Sequence, residues 1–274
     1  MRKHVNEDLL TCPQPSPECA LSGVVPCWGV VGGYIVSGGI LRESDRSEMR
    51  AYNPFAEYEL PTQVARIVTG DVSPEEFAGK FGLLGHDHLV SRRECKGGDP
   101  IEWVRAHSRT VALCLDLIGV LEEGDEVVIG DAVETTRPGP YIWGQRIGKL
   151  PTRFTDHSLK KNVPPAAIAR NWLTRLITDN IQGITRRLST DAYGSRLASY
   201  FSFKAMIETV YWQLADRVEG GGVRRCLECR RFFLTRDKRQ QYCPPYPGST
   251  RSRCSSRVNV NSFRSRHTGH KEIT

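Results

Sequence analysis

Four cysteines in the last fifth of the chain have the residue type and spacing of a metal site. Cys226 and Cys229 are separated by two residues, and Cys243 and Cys254 follow after gaps of thirteen and ten residues. A Cys-x2-Cys pair places two thiolates in one tight turn, and a second pair of sulfurs completes the tetrahedral coordination that suits Zn²⁺. The spacing predicts a structural zinc site formed by these four residues, with His267 as the alternative fourth ligand.

The segment that carries these cysteines has little apolar material of its own. Residues 223–274 contain few large apolar side chains besides Phe232 and Phe233, and a unit of this size rarely folds on hydrophobic burial alone. Bound metal would supply the missing folding free energy. The alternative interpretation is that the thiols are free, with Cys226 and Cys229 as a redox pair, although no βαβ pattern of a thioredoxin-like fold accompanies them.

The same segment is strongly basic, whereas the rest of the chain is not. From Arg224 to Thr274 there are 13 Lys and Arg against 3 Asp and Glu, and the preceding residues carry 25 basic and 28 acidic groups. A basic segment attached to a slightly acidic body favours a polyanionic partner, most often nucleic acid. A solvated basic tail without a partner would have the same composition.

Helical spacing after Cys254 organises these charges. Arg253, Arg257 and Arg264 would share one stripe of a helix, where they could follow a phosphate backbone, and Asn259 and Asn261 could reach base edges. The candidate nucleic-acid contacts are therefore Arg253, Arg257, Asn261, Arg264 and Arg266.

The body, residues 1–222, is predicted to be mainly helical with a few short strands. Glycines 220–222 form a natural boundary, so we expect an α+β chain with a small zinc finger at residues 223–274. Two strands at Trp28–Val31 and Tyr34–Val36, joined by Gly32-Gly33, are expected, and another at Glu126–Ile129. The expected helices are Tyr58–Val68, one from the N-cap Ser73 to Gly85, one from Asp99-Pro100 to Glu122, Pro164–Arg187 and Phe203–Val218.

The stretch Ala20–Leu41 carries no charge, but it does not predict a membrane span. It contains Pro26 and six glycines, which interrupt a spanning helix. The total of nine cysteines is odd, which argues against a fully paired secreted framework. We therefore expect no membrane association and a reducing cytoplasmic location.

The C-terminal region resembles that of the bacterial CGNR-type zinc-finger proteins, many of which have an ABATE-like N-terminal body. The matching segments are Ala205–Ala215, Cys226-Leu-Glu-Cys229, Phe232-Phe233, Gln241-Tyr242-Cys243 and Cys254-Ser-Ser-Arg257, of which the last keeps only the ends of Cys-Gly-Asn-Arg. The resemblance implies a treble-clef-like finger that binds DNA, a body that senses a stress or a small-molecule effector, and a role in transcription regulation.

Enzymatic functions find less support in the sequence. A treble-clef nuclease needs a histidine before the finger's helix, and none lies between Cys226 and Cys254. The chain has no phosphate-cradling glycine loop followed by lysine and no Gly-x-Ser-x-Gly elbow, although His86, Asp87 and His88 could hold a metal. We expect a non-enzymatic, zinc-dependent nucleic-acid-binding protein, with DNA favoured over RNA. The alternatives are RNA binding, with Tyr242, Tyr246 and Phe263 stacking on bases, and docking of a protein partner.

Overall fold

Helices and three small antiparallel sheets form the described part of the protein. The computed structural model describes residues 28–136, 163–190, 197–220 and 222–268, except positions 236, 238 and 248. The helices within these ranges are α1 (Leu60–Val68), α2 (Pro74–Phe81), α3 (His86–Leu89), α4 (Ile101–Glu123), α5 (Glu126–Thr136), α6 (Pro165–Asn180), α7 (Met206–Gly220) and α8 (Arg253–Thr268). The strands are β1 (Trp28–Ser37), β2 (Ile40–Tyr52), β3 (Asp99–Pro100), β4 (Thr185–Thr190), β5 (Leu197–Ser202), β6 (Val223–Arg225) and β7 (Phe232–Leu234). The predicted α+β class, mainly helical with short antiparallel strands, is confirmed.

Strands β1 and β2 form a hairpin, and β3 pairs with β2 at its edge. The expected turn at Gly32-Gly33 is wrong, because both residues lie inside β1 at an irregularity in its register. The actual turn is Gly38-Gly39, where both residues have positive φ angles of 58° and 75°. Two such residues suit the two-residue turns of tight hairpins, and glycine adopts this conformation without steric cost.

Capping residues set several helix boundaries. The predicted N-cap Ser73 is confirmed, because its hydroxyl accepts a hydrogen bond from the Glu76 N–H. The Glu76 carboxylate also accepts one from the Ser73 N–H, which completes a capping box. This helix ends at Phe81, before the predicted Gly85, since Gly82 has a φ of 83°. Helix α4 ends at Glu123, one residue beyond the predicted Glu122, and Gly124 is its C-cap with a φ of 72°.

Two expected elements differ from the structure for identifiable reasons. Residues Glu126–Ile129 start helix α5 and do not form a strand, because the Asp125 carboxylate accepts hydrogen bonds from the N–H groups of Val127 and Val128. An aspartate in this position caps a helix and outweighs the strand preference of a β-branched run. Helix α6 ends at Asn180, before the predicted Arg187, because residues Thr185–Thr190 form strand β4 and pair with another strand. Residues 197–202 return as β5, paired antiparallel with β4.

Helix α4 lies at the centre of the body, where it packs against α1, α5, α6, α7 and the strands β6 and β7. The core contains aromatic side chains from several helices, including Phe77, Phe81, Trp172 and Tyr211, each with less than 2% exposure. No helix among the described residues has both the length and the apolarity needed to cross a membrane.

Candidate metal centre and basic helix

The four predicted cysteines come together at one point of the C-terminal region. Cys226 directly follows β6, Cys229 lies in the turn before β7, Cys243 lies in the loop after β7, and Cys254 is in the first turn of α8. Their Sγ atoms all lie within 4.8 Å of one another. Within the described ranges, this is the sole cluster of three or more Cys, His, Asp or Glu side chains placed to share a metal ion.

Backbone hydrogen bonds hold the turn that presents the first two cysteines. The N–H of Arg230 donates to the carbonyl of Cys226 at 3.0 Å, and the N–H of Cys226 donates to the carbonyl of Arg231 at 2.9 Å. Arg230 has a φ of 61°, which lets the chain reverse directly after Cys229. A third bond, from the N–H of Leu227 to the carbonyl of Gln241 at 3.0 Å, brings the Cys243 loop against this turn.

The spacing of the sulfurs fits a tetrahedral metal ion. Zn–S bonds of about 2.3 Å separate the sulfurs of a Cys₄ site by about 3.8 Å, and the Sγ atoms of Cys229 and Cys243 lie 3.4 Å apart. All four thiols are unpaired. A redox pair needs two thiols, whereas four convergent thiols match a structural metal site, so the donor set suits a metal such as zinc.

The pKa values of the cysteine thiols also favour a bound cation. Burial disfavours the Cys226 thiolate, but backbone N–H groups of Cys229, Cys243 and Glu228 donate toward its sulfur, and the pKa of Cys226 falls to about 7. Burial and the neighbouring thiols raise the pKa of Cys254 to about 12 and also raise the pKa of Cys243. Four thiolates so close together repel one another, so a bound cation is needed for all of them to be ionised at once.

The alternative ligand His267 lies near the far end of α8. Residues 253–268 form one continuous helix, and at a rise of about 1.5 Å per residue His267 lies about 20 Å along the axis from Cys254. Cys254 is therefore the residue of α8 that joins the other three cysteines.

Helix α8 extends from the cluster into solvent. Cys254 is buried, but every residue from Asn259 to Ser265 is exposed, which includes the predicted contacts Asn261 and Arg264. Arg257 is also exposed, and its guanidinium lies 3.6 Å from the Glu228 carboxylate. The side chain of Arg266 lies outside the described residues. No acidic residue occurs from Lys238 to Lys271, so the sequence around the helix is uniformly basic.

The first arginine of the predicted stripe has a different environment. The Arg253 guanidinium lies 4.5 Å from the centre of the Tyr246 ring, and the guanidinium of Arg66, from α1, lies 4.3 Å from the same ring. Tyr246 thus contacts two cations of the protein itself, which favours a structural role over base stacking.

The cysteine-bearing region is joined to the body by contacts that the sequence did not reveal. Buried Arg66 donates hydrogen bonds to the carbonyls of Pro244 and Pro245 at 2.8 and 3.1 Å. The N–H of Leu234 donates to the Thr62 hydroxyl at 3.0 Å. The available signal was an arginine among the mostly apolar residues of α1. Its partners could not be inferred from it, because they lie 178 and 179 residues away along the chain.

The contact surface between the body and the strands β6 and β7, called the seam below, also includes two ion pairs at the protein surface. Arg225 donates to both carboxylate oxygens of Glu123, at 2.9 and 2.7 Å, and Arg231 pairs with Asp71. Together with the buried contacts, they hold the strands β6 and β7 against α1 and α4.

The second metal candidate, around α3, is built as a structural turn. His86 is buried with its Nδ1 atom 3.0 Å from the Asp87 carboxylate, which also accepts the N–H groups of Lys96 and Gly98. The ring of His88 packs edge-on against Trp28 at 5.3 Å. These three residues do not form a metal-binding group with any further ligand in the described part of the chain.

The neighbouring Asp99 anchors the same turn. Its carboxylate accepts hydrogen bonds from the N–H groups of Leu84, Gly85 and His86 at 2.5 to 3.1 Å. Helix α4 begins directly after Pro100, as predicted, but the Asp99 side chain serves this turn and does not cap the helix.

No protein-family model matches the chain, and no curated protein or solved structure shows significant similarity to it. The resemblance to CGNR-type proteins stays a prediction, and the function must be argued from the geometry of the cysteine cluster and helix α8.

Proposed function

We propose that the protein is a zinc-dependent, non-catalytic nucleic-acid-binding protein, with DNA as the favoured partner. The observation that carries the proposal is that the Cys₄ cluster fixes the first turn of a basic helix whose next turns are exposed. A metal bound there would hold Arg257 and Arg264 on a rigid element that projects from the body. The CGNR-type resemblance adds the role of a cytoplasmic transcription regulator whose body senses an effector.

The shape of α8 suits a duplex. A single exposed helix has the dimensions of the DNA major groove, and arginines along it can pair with phosphates or with base edges. The exposed Asn261 lies between the two arginines and is the residue placed to read a base, while the arginines supply affinity and orientation.

The test is a titration of labelled duplex DNA with the full chain at two salt concentrations. Wild-type binding should weaken steeply with salt, and Arg257→Ala/Arg264→Ala should reduce the slope of log affinity against log salt by about 2. The matched control is Arg105→Ala/Arg109→Ala, which removes two exposed arginines from one face of helix α4 in the body. Equal binding by the two double variants would overturn the assignment of α8.

A protein partner is the second candidate, and one observation favours it. Val260 and Phe263 are 48% and 60% exposed on the same helix, and such side chains are common anchors for a protein groove. Nucleic-acid binding predicts strong salt dependence, whereas a contact made through Val260 and Phe263 would be nearly insensitive to salt.

A further inference from the structure

A groove lies beside α8, between this helix and the loop that carries Cys243. It has a volume of about 690 Å³, and its lining includes the polar and aromatic side chains of Arg239, Gln241, Tyr242, Arg251 and Asn259. Ser252, Ser255 and Ser256 line its helical wall. With about 100° between successive helical residues, Arg257 and Arg264 lie on the neighbouring side of α8. The groove is therefore a surface distinct from the stripe that the sequence predicted.

The charge of the groove is positive. Arg239 and Arg251 are exposed, and no carboxylate is among the described residues that line it. Arg239 is paired with Asp237, at 3.2 Å from Nε to Oδ1, but their side chains are 92% and 54% exposed. An exposed pair of this kind contributes little free energy, so an anionic ligand can compete for the Arg239 guanidinium.

The remaining lining residues can recognise a base. Gln241 and Asn259 are exposed and carry amide groups that donate and accept hydrogen bonds. Tyr242 presents a half-buried aromatic ring in the same groove, where it also packs against the cysteine cluster. A basic groove with an aromatic platform is the combination by which proteins hold unpaired strands.

We propose that this groove binds a single nucleic-acid strand, with phosphates at Arg239 and Arg251 and a base stacked on Tyr242. The inference rests on the proposed nucleic-acid function and adds a second mode of contact to it. The convex outer side of α8 suits a duplex, whereas a concave groove of this volume admits the sugar, phosphate and base of one strand. Because Tyr242 packs on the cluster that carries Cys243, the metal that orders α8 would also form the groove.

The experiment measures binding of the full chain to three labelled probes, namely oligothymidylate and oligouridylate of about 10 nucleotides and a DNA duplex. Arg239→Ala/Arg251→Ala should weaken single-strand binding about tenfold or more and leave duplex binding nearly unchanged. Arg257→Ala/Arg264→Ala should weaken duplex binding and leave single-strand binding nearly unchanged. The two oligonucleotides distinguish DNA from RNA as the source of the strand.

Two further variants test individual contacts. Asp237→Asn releases Arg239 and should tighten single-strand binding without affecting the duplex. Tyr242→Leu should lose about tenfold in single-strand affinity, whereas Tyr242→Phe keeps the ring and should bind like wild type. Metal content is measured for each variant, so that a collapsed cysteine cluster is not mistaken for a lost contact.

The outcomes separate the two proposals. A chain that binds duplex but whose groove variants all bind single strands like wild type would overturn the groove and leave the proposed function standing. A metal-loaded chain that binds none of the three probes at low salt would overturn both.

Discussion

The body and the cysteine-bearing region obtain their stability from different sources. The body buries large side chains such as Phe77, Trp172 and Tyr211 around α4. The separate cluster of the C-terminal region contains buried Phe233 with Cys226, Cys243 and Cys254, and Cys229 and Tyr242 at its margin. One fully buried aromatic ring and four thiols offer little hydrophobic stabilisation, so we expect this region to depend on metal coordination and on its contacts with the body.

The contacts between the two regions form a graded seam. Val223 and Leu234 of the C-terminal strands belong to the body's own core, Arg66 reaches across to two proline carbonyls, and ion pairs lie outside. The strands β6 and β7 are therefore supported from the body. Helix α8 contacts the rest of its region through Cys254, through the Arg253–Tyr246 contact and through the exposed Arg257–Glu228 pair. This comparison makes α8 the element most dependent on metal.

The largest expected effect is loss of the metal site. Cys226→Ser should abolish metal binding, which contributes on the order of 10 kcal/mol in small zinc modules, and should release α8 while the body stays folded. Hydrogen exchange would show loss of protection in α8 and retention in α4 and α6. Cys95→Ser is the control, because Cys95 lies outside the cluster. Protection of α8 that survives in Cys226→Ser would show that this helix does not depend on the metal.

The second effect concerns the body. Leu176 is fully buried in α6, so Leu176→Ala should lower the free energy of unfolding by about 2–5 kcal/mol without changing the metal content. Chemical denaturation measures this loss, and Leu188→Ala, at a position with 69% exposure, should change stability by no more than about 0.5 kcal/mol. A loss of metal in Leu176→Ala would show that the metal site depends on the packing of the body's core.

The seam itself can be tested at Gly119 on α4. A Cβ atom there would overlap the ring of Phe232 on β7, so Gly119→Ala should destabilise the protein by about 1–3 kcal/mol. The matched change Gly130→Ala places a Cβ on α5 with its nearest contact at 3.8 Å, and should stabilise by up to about 1 kcal/mol. Thermal unfolding should show a lower melting temperature for Gly119→Ala and an equal or higher one for Gly130→Ala. Equal changes in the two variants would mean that β7 does not pack closely on α4.

The smallest expected effect is at the rim of the seam. The Arg225–Glu123 pair is bidentate but partly exposed, at 35% and 39%, so Glu123→Gln should cost about 0.2–1 kcal/mol. The loss should shrink in high salt, because screening weakens the pair in the wild type. Denaturation at two salt concentrations measures it, and a larger loss that is independent of salt would contradict a surface contribution.

The sequence predicted what depends on short-range signals. The N-cap at Ser73, the end of α4 next to Glu122 and the spacing of the four cysteines are local patterns, and the structure agrees with all three predictions. The strand expected at Val127-Val128-Ile129 was wrong, because the cap supplied by Asp125 was not recognised. Local patterns are also ambiguous where glycines are paired, so the hairpin turn was placed at Gly32-Gly33 although it lies at Gly38-Gly39.

Long-range partners could not be predicted in the same way. The bonds from Arg66 to the loop after Cys243, and the loop wall that turns one side of α8 into a groove, join segments far apart in the chain. Such contacts follow from tertiary packing, which no spacing rule of a single segment encodes. For the same reason, the cysteine ligands were predictable and the groove beside them was not.

We propose that Cys226, Cys229, Cys243 and Cys254 hold one metal ion and thereby fix helix α8. Elemental analysis of the full chain, purified under reducing conditions without chelators, tests it most directly. We expect one zinc ion per chain in the wild type and in Cys95→Ser, and none in Cys226→Ser. A folded wild-type chain without stoichiometric metal, with all four thiols open to a thiol reagent, would contradict it.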